Sequence, residues 1–372
     1  MDFEPEPEAE LDKQIDDVWL VFLEKLKRKK VPLVRSEFGD ELNLFVPQIR
    51  MLLPIYANPL FPKSIYTTSH LTASRNTYAI MRKLGMPPDY FWKFEFWMGT
   101  RAFDVLSKVT NKIFREILST TKQGLLNVEN VSTGPQEIKV ILELEECAEC
   151  FGVDANHPIC YYHAGTLTGI ISALVGKELE GYESSCCATG GNKCVFVIGE
   201  KSEALEKYLN PEKIELSLHT RLKNVLDGTN MRSIGNETNV RYYQLLILNS
   251  LITNPKLFSA SNYELGVGYG KRLASFLQEY YNKTEEELFD VVIEYYTFLK
   301  HLQIEIKEGT DEIRAKEVAE ISGLTKNNAF LGFLFGELEG LLSVIRKEKV
   351  VYAGNTFENE ELVIKFKREE GY

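Results

Sequence analysis

Apolar residues recur at helical spacing at Ile15, Val18, Trp19, Phe22, Leu23 and Leu26, which predicts an amphipathic helix from Leu11 to Lys29 with one buried face. The turns Asn58-Pro59 and Pro87-Pro88 bracket a second predicted helix, Thr72 to Leu84, stopped by Gly85. An aromatic cluster from Tyr90 to Trp97 follows, then a helix carrying Phe103, Leu106, Val109, Ile113 and Ile117. At Ile138 the period changes to two: Ile138, Val140, Leu142 and Leu144 alternate with polar residues, the mark of a half-buried strand. Between Ala164 and Lys177, a stripe of Gly165, Gly169, Ala173 and Gly176 predicts a helix that another backbone can approach closely. Cys194 to Ile198 reads as a strand. Asn210 and Pro211 supply a helix start, and Gly228 a stop, for a connector helix bearing Ile214, Leu218, Leu222 and Val225. Thr284 with Glu287 forms a capping box ahead of Leu288, Val291, Val292, Tyr295 and Leu299.

At 372 residues the chain is long enough for two domains. A hydrophobic content of 44% with 26% charged residues is that of a soluble globular protein. No apolar run reaches the ~18 residues a membrane span needs. The acidic, proline-punctuated start MDFEPEPEAE is unlike a signal peptide, so a cytoplasmic location is expected, where six cysteines are thiols or metal ligands rather than a disulfide framework. A net charge of -11 argues against a protein whose main task is neutralising phosphates. Lys316 to Asn328 superficially suggests a helix-turn-helix, but the helix that would read bases continues as Ala329-Phe-Leu-Gly-Phe-Leu-Phe335, apolar where base edges need polar groups.

Cys160, Glu183, Cys186 and Cys194 stand 22, 2 and 7 intervening residues apart. Three thiolates and a carboxylate would make the closed four-coordinate shell that zinc takes in structural sites. The spacing alone also fits unrelated buried thiols and a surface glutamate. Cys147 and Cys150 form a further Cys-x-x-Cys, assigned to buried thiols because the four-ligand set is complete without them.

His157-Pro-Ile-Cys160, the glycines Gly165 and Gly169, and Glu183-x-x-Cys186-Cys187-Ala-x-Gly-x-x-x-Cys194 resemble the signature of the vinyl-4-reductase domain family, which includes the sensor domains of bacterial phenol- and xylene-responsive activators. The tight likeness covers about 40 residues and a looser one extends from about residue 48 to 200. The resemblance implies zinc on Cys160, Glu183, Cys186 and Cys194. It implies an α+β fold, a helical layer packed on an antiparallel sheet, similar in class to TRAPP vesicle-tethering subunits, with a buried ligand pocket. The histidine and tryptophan with which the phenol sensors hold their ligand have no match here, so phenol specificity does not carry over. Phe91, Phe94, Phe96, Tyr161 and Tyr162 are candidates to line a pocket for an apolar or aromatic guest.

The last third of the chain reads as a second copy. At an offset of 167 residues Gly165 and Gly169 become Gly332 and Gly336, and the strand at Val195 to Val197 becomes Leu362 to Ile364. Gly99-x-Arg101 resembles Gly270-x-Arg272, and Asn58-Pro59 resembles Asn254-Pro255. The four ligand positions become Asn327, Val350, Ala353 and Glu361, so this copy is expected to hold no metal, leaving one zinc per chain. The expected organisation is a tail and helix over 1–40, a zinc-bearing domain over 41–200, a helical connector over 201–240 and a degenerate repeat over 241–372. The function expected is non-catalytic binding or sensing of a small molecule, in a homodimer that signals through a protein partner. A reductase acting on a vinyl or tetrapyrrole-like substrate is the alternative, with His157 and His163 as acid-base groups, although no phosphate-binding glycine loop is present to hold a reductant. A DNA-binding regulator or an assembly scaffold ranks below both.

Overall fold

The computed structural model describes residues 13, 33–83, 115, 118, 121–133, 138–253, 255–284, 287–306, 311–324 and 326–369. The N-terminal helix expected at Leu11 to Lys29, the helix from Phe103 to Ile117, and Gly99 with Arg101 lie largely or wholly outside these residues. Phe91, Phe94 and Phe96 of the expected pocket lie outside them as well. The chain divides into two compact units, one holding Pro47–Thr238 and the other Asn239–Tyr372 together with Lys30–Val46.

The first unit contains α1 (Phe45–Ala57), α2 (Phe61–Lys83), β1 (Leu125–Thr133), β2 (Ile138–Glu145), α3 (Tyr161–Val175), β3 (Glu180–Ser185), β4 (Cys194–Gly199), α4 (Glu203–Leu209) and α5 (Leu218–Leu226). Its four strands form an antiparallel sheet in the order β1-β2-β4-β3. The period-two pattern explains the inner face. Val140, Leu142 and Leu144 of β2 pair with Ile198, Phe196 and Cys194 of β4, and all six are buried. Leu52 and Ile55 of α1, Tyr66 of α2 and Leu167, Ile171 and Leu174 of α3 close the same core, giving the α+β arrangement of a helical layer on a sheet.

Gly165 and Gly169 let α3 lie directly on α2: a Cβ at Gly165 would overlap the carbonyl oxygen of Tyr66, and one at Gly169 the carbonyl oxygen of His70. The small-residue stripe is therefore a seam between two helices of one unit. Among the described residues no helix is long and apolar enough to cross a membrane.

The second unit runs α6 (Val240–Thr253), α7 (Pro255–Tyr281), α8 (Leu288–Phe298), β5 (Gln303–Ile306), β6 (Glu312–Lys316), α9 (Gly332–Ile345), β7 (Val350–Glu358) and β8 (Glu361–Arg368). Its sheet is antiparallel in the order β5-β6-β8-β7, so sheet order and the position of the helix between second and third strands repeat those of the first unit. The capping box is present: Glu287 Oε2 accepts from the Thr284 backbone N–H at 3.0 Å and from its hydroxyl at 3.1 Å.

Three expectations are corrected by packing. The helix expected from Thr72 begins at Phe61, because Asn58 closes the turn before it, accepting from Leu60 N at 2.9 Å through its side chain and from Phe61 N at 3.1 Å through its carbonyl. Asn210 ends α4 instead of opening a helix, donating its amide to the Glu206 carbonyl at 2.8 Å. The stretch after it stays extended, with Glu215 N bonded to Asn156 Oδ1 and Ser217 N to Asp154 O, so α5 starts only at Leu218. In the second unit Gly336 and Gly340, rather than Gly332 and Gly336, meet the neighbouring helix, at the carbonyls of Tyr263 and Val267. The glycine register read from sequence is thus one helical turn off. The helix-turn-helix suggestion also fails: α9 is buried along nearly its whole length and has no face to present to a groove.

Candidate metal centre

All six cysteines of the chain come together in the first unit, at the buried end of the sheet beneath the N-terminus of α3. Cys194 opens β4 opposite Leu144 of β2, and Cys160 caps α3 without making a side-chain capping bond. Glu183 lies on β3, and Cys186 follows that strand at the head of the turn Cys187–Thr189. Cys160, Cys186 and Cys194 have no exposed surface and Glu183 has 3%. One donor atom from each of the four falls within 4.8 Å of all the others. Cys160 Sγ lies 3.8 Å from Cys186 Sγ and 3.7 Å from Cys194 Sγ. Tetrahedral zinc with Zn–S bonds of about 2.3 Å sets sulfurs about 3.8 Å apart, the spacing seen.

The carboxylate is placed for a cation. Glu183 Oε2 accepts from the Cys160 backbone N–H at 2.9 Å, while Oε1 is buried with no hydrogen-bond partner. Burial, followed by the Cys186 and Cys147 thiolates, pushes its pKa well above the usual carboxylate range. An uncompensated buried anion among thiolates is costly, and a divalent ion among the same donors reverses that balance. Gly191 fits the tight turn, since a Cβ there would meet the Cys186 carbonyl oxygen at 2.8 Å.

Cys147 and Cys150 belong to the same cluster, which the spacing argument misses. Cys147 Sγ is 3.6 Å from Cys160 Sγ, and Cys150 Sγ is 3.3 Å from Cys194 Sγ. Cys147, Cys150, Cys160 and Cys194 form a second four-donor group, again within 4.8 Å of one another. Cys187, half-buried, reaches Cys194 at 3.9 Å. The sequence does carry a signal for them, a Cys-x-x-Cys directly after a strand, but a ligand set already complete outweighs it.

Around the thiols the polar groups are ordered. Glu149 accepts from Tyr162 N and His163 N, each at 3.0 Å, covering free N–H groups in the first turn of α3, and from His163 Nδ1 at 2.7 Å. Burial alone would lower the His163 pKa, but Cys147 and Glu149 more than reverse this and raise it to about 10. His157 is held by the Tyr208 carbonyl at 3.1 Å and stacks beside Tyr161 and Tyr208. Both histidines are thus engaged in structure. Of the pocket candidates within the described residues, Tyr161 is fully buried against Tyr208 and Tyr162 is 8% exposed.

The family model for the vinyl-4-reductase domain matches residues 140–200, the segment that holds most of β2, all of α3, β3 and β4, and every cysteine. This segment is a vinyl-4-reductase domain. Two relatives from Methanocaldococcus jannaschii are similar to the chain: the uncharacterized protein MJ0150, 30% identical over 86 residues (23% of this chain, 47% of that one), and the uncharacterized protein MJ1642, 32% identical over 96 residues (25% and 57%). The chain spans about half the length of these relatives. Among solved structures, a vinyl-4-reductase family protein from the same organism is similar at 16% identity and a TM-score of 0.29, covering 54% of this chain and 99% of that one. The phenol-responsive sensory domain of the transcription activator PoxR, solved with phenol, is similar at 20% identity and a TM-score of 0.24, covering 38% and 79%. A trafficking protein particle complex subunit 3 from Naegleria fowleri, covalently bound to palmitic acid, is similar at 14% identity and 0.30, covering 42% and 91%.

Proposed function

We propose that the chain is a non-catalytic protein that binds or senses a small apolar or aromatic molecule, built around a structural zinc on Cys160, Glu183, Cys186 and Cys194, and that it signals through a protein partner as a homodimer. The observation that carries the reading is the closure of the donor set: three thiols with no exposed surface and a carboxylate with 3% fill a tetrahedral shell and leave no position for a substrate. Zinc suits the donors, which are soft and anionic, and the orphaned Glu183 Oε1 supplies the fourth bond. The vinyl-4-reductase domain supports the sensing role, and the shared strand order of the two units supports reading them as two copies of which one has kept its metal. The engaged state of His157 and His163 argues against acid-base work by either.

The test is mass spectrometry of the gently purified full-length chain, which should release a small apolar or aromatic molecule, joined to a turnover assay in which no reductant is consumed. Replacing His163 by Ala should leave affinity for that molecule within a few-fold. Stoichiometric NADPH oxidation coupled to reduction of a vinyl substrate would overturn the reading.

A further inference from the structure

The two donor groups share two sulfurs. Cys160 and Cys194 belong both to the group completed by Glu183 and Cys186 and to the group completed by Cys147 and Cys150. Two four-donor shells with one common edge are the geometry of a pair of metal ions joined by two bridging thiolates. We propose that the first unit holds a dinuclear zinc centre, with a second ion bound by Cys147, Cys150, Cys160 and Cys194 beside the first, and with Cys160 and Cys194 as the bridges. The proposal rests on the zinc reading for the first ion and extends it.

Spacing within the second group is that of one small ion. The Cys147–Cys160 and Cys160–Cys194 edges are 3.6 and 3.7 Å, near the ~3.8 Å edge of a zinc tetrathiolate, and the Cys150–Cys194 edge of 3.3 Å needs only a small opening. An iron–sulfur cluster fits poorly, because its ligand sulfurs sit on different irons with inorganic sulfide between them, whereas all four sulfurs here lie within 4.8 Å of one another.

The turn that carries Cys147 and Cys150 is held on several sides. Gln48 of α1 donates its side-chain amide to the carbonyls of Ala148 at 2.9 Å and Phe151 at 3.0 Å. Ala148 N bonds the Gln123 carbonyl at 2.9 Å, and Arg232 donates to the Glu146 carbonyl at 3.2 Å. Both thiols are therefore preorganised, the condition for tight binding without a folding cost.

A second, independent observation comes from the other unit, which builds the same turn without thiols. There Gln244 donates to Ala319 O at 2.8 Å and Ser322 O at 3.0 Å, as Gln48 does to Ala148 and Phe151. Glu317 repeats the left-handed backbone of Glu146, with φ of 54° against 51°. The residues standing where Cys147 and Cys150 stand are Val318 and Ile321, both buried. Aliphatic side chains satisfy that turn, so packing alone does not call for two cysteines. They are present only in the unit where Cys160 and Cys194 lie opposite.

Native mass spectrometry of the full-length chain counts bound ions and identifies them by mass. Two zincs per chain are expected in the wild type and one in the Cys147→Ser/Cys150→Ser variant. Chain produced in cobalt-supplemented medium should show a weakened cobalt EPR signal from coupling through the bridging sulfurs, a readout that needs no variant. One zinc in the wild type, kept in Cys147→Ser/Cys150→Ser and lost in Glu183→Gln/Cys186→Ser, would overturn the dinuclear centre while leaving the first ion in place. One zinc lost in Cys147→Ser/Cys150→Ser and kept in Glu183→Gln/Cys186→Ser would overturn both assignments. Iron with acid-labile sulfide would also overturn the proposal.

Discussion

Stripping the metal should loosen one unit and spare the other. The perturbation is a strong chelator under reducing conditions, applied to the full-length chain. In the first unit the ligands join the N-terminus of α3, the end of β3 and the start of β4, so removing the ion releases three elements at once. Structural zinc contributes roughly 10 to 16 kcal/mol of apparent binding energy, against about 5 to 15 kcal/mol for the whole stability of a domain. Glu183 is then left buried with an unpaired oxygen, which by itself costs about 1 to 3 kcal/mol. Even a net loss of ~4 kcal/mol is close to a thousandfold in the opening equilibrium. The second unit holds no donor group of this kind among the described residues and rests on apolar packing such as Leu334, Phe335, Leu338 and Ile364. Hydrogen exchange read by mass spectrometry should therefore show protection lost across Ile138 to Gly199 and retained from Leu288 to Arg368. Loss that is uniform along the chain would refute the reasoning, since it would mean that the two units open together.

Gly169→Val should lower stability by about 3 kcal/mol or more, because the new Cβ collides with the His70 backbone and neither helix has a flexible side chain there to yield; thermal unfolding with far-UV circular dichroism measures it. Gln48→Leu should cost about 2 to 3 kcal/mol by leaving the Ala148 and Phe151 carbonyls without their donor and Arg221 without the acceptor it meets at 3.0 Å, read as a shifted denaturant midpoint at constant slope. The Glu287 carboxyl, held down to about 2 by hydrogen bonds from Thr284 and Lys283, should contribute stability that is fully present above about pH 4.5 and is lost as pH falls through about 2; NMR titration of its carboxyl carbon in wild type and Thr284→Ala checks this, with the pKa moving up in the variant.

What was legible in the sequence was what local pattern determines. The alternation of Ile138, Val140, Leu142 and Leu144 named β2 to its ends, and the stripe of Gly165 and Gly169 marked a close helix seam. The capping box at Thr284 and Glu287 was visible because its partners are three residues apart. What stayed hidden depends on distant residues. Asn210 and Pro211 have the composition of a helix start, yet pairing of Ala155 with Leu216 keeps the following stretch extended. The glycine register slipped by a turn because a glycine-rich helix offers equivalent matches one turn apart, and only the facing carbonyls decide among them. Cys147 and Cys150 read as packing because nothing in a linear spacing says that the end of β2 abuts Cys160 and the start of β4.

The polar scaffolds of the two units separate what the fold needs from what the metal adds. Glu149 in the first unit and Glu320 in the second follow the same turn, and each is buried against a histidine: His163 from α3 at 2.7 Å in one, His301 at 2.9 Å in the other. In the second unit Tyr243 also donates to that carboxylate at 3.0 Å, whereas in the first it is the opening turn of α3 that does so, through Tyr162 N and His163 N. Both units tie the turn to their first helix through a glutamine, Gln48 or Gln244, so this network does not depend on a metal. The helix that follows differs. In the second unit Asn327 accepts from Ala329 N at 2.8 Å and Leu331 is buried at the start of α9, so side-chain capping and apolar packing settle that end. In the first unit the corresponding end is Cys160, which makes no side-chain cap bond and whose N–H goes to Glu183. Anchoring α3 has thus passed from apolar packing to a ligand set, and the helix dipole now points its positive end at the thiolates. The proposed ion is therefore local in its action, fixing one end of one helix, and the α2–α3 seam built on Gly165 and Gly169 is the element through which a change at that end reaches the rest of the unit.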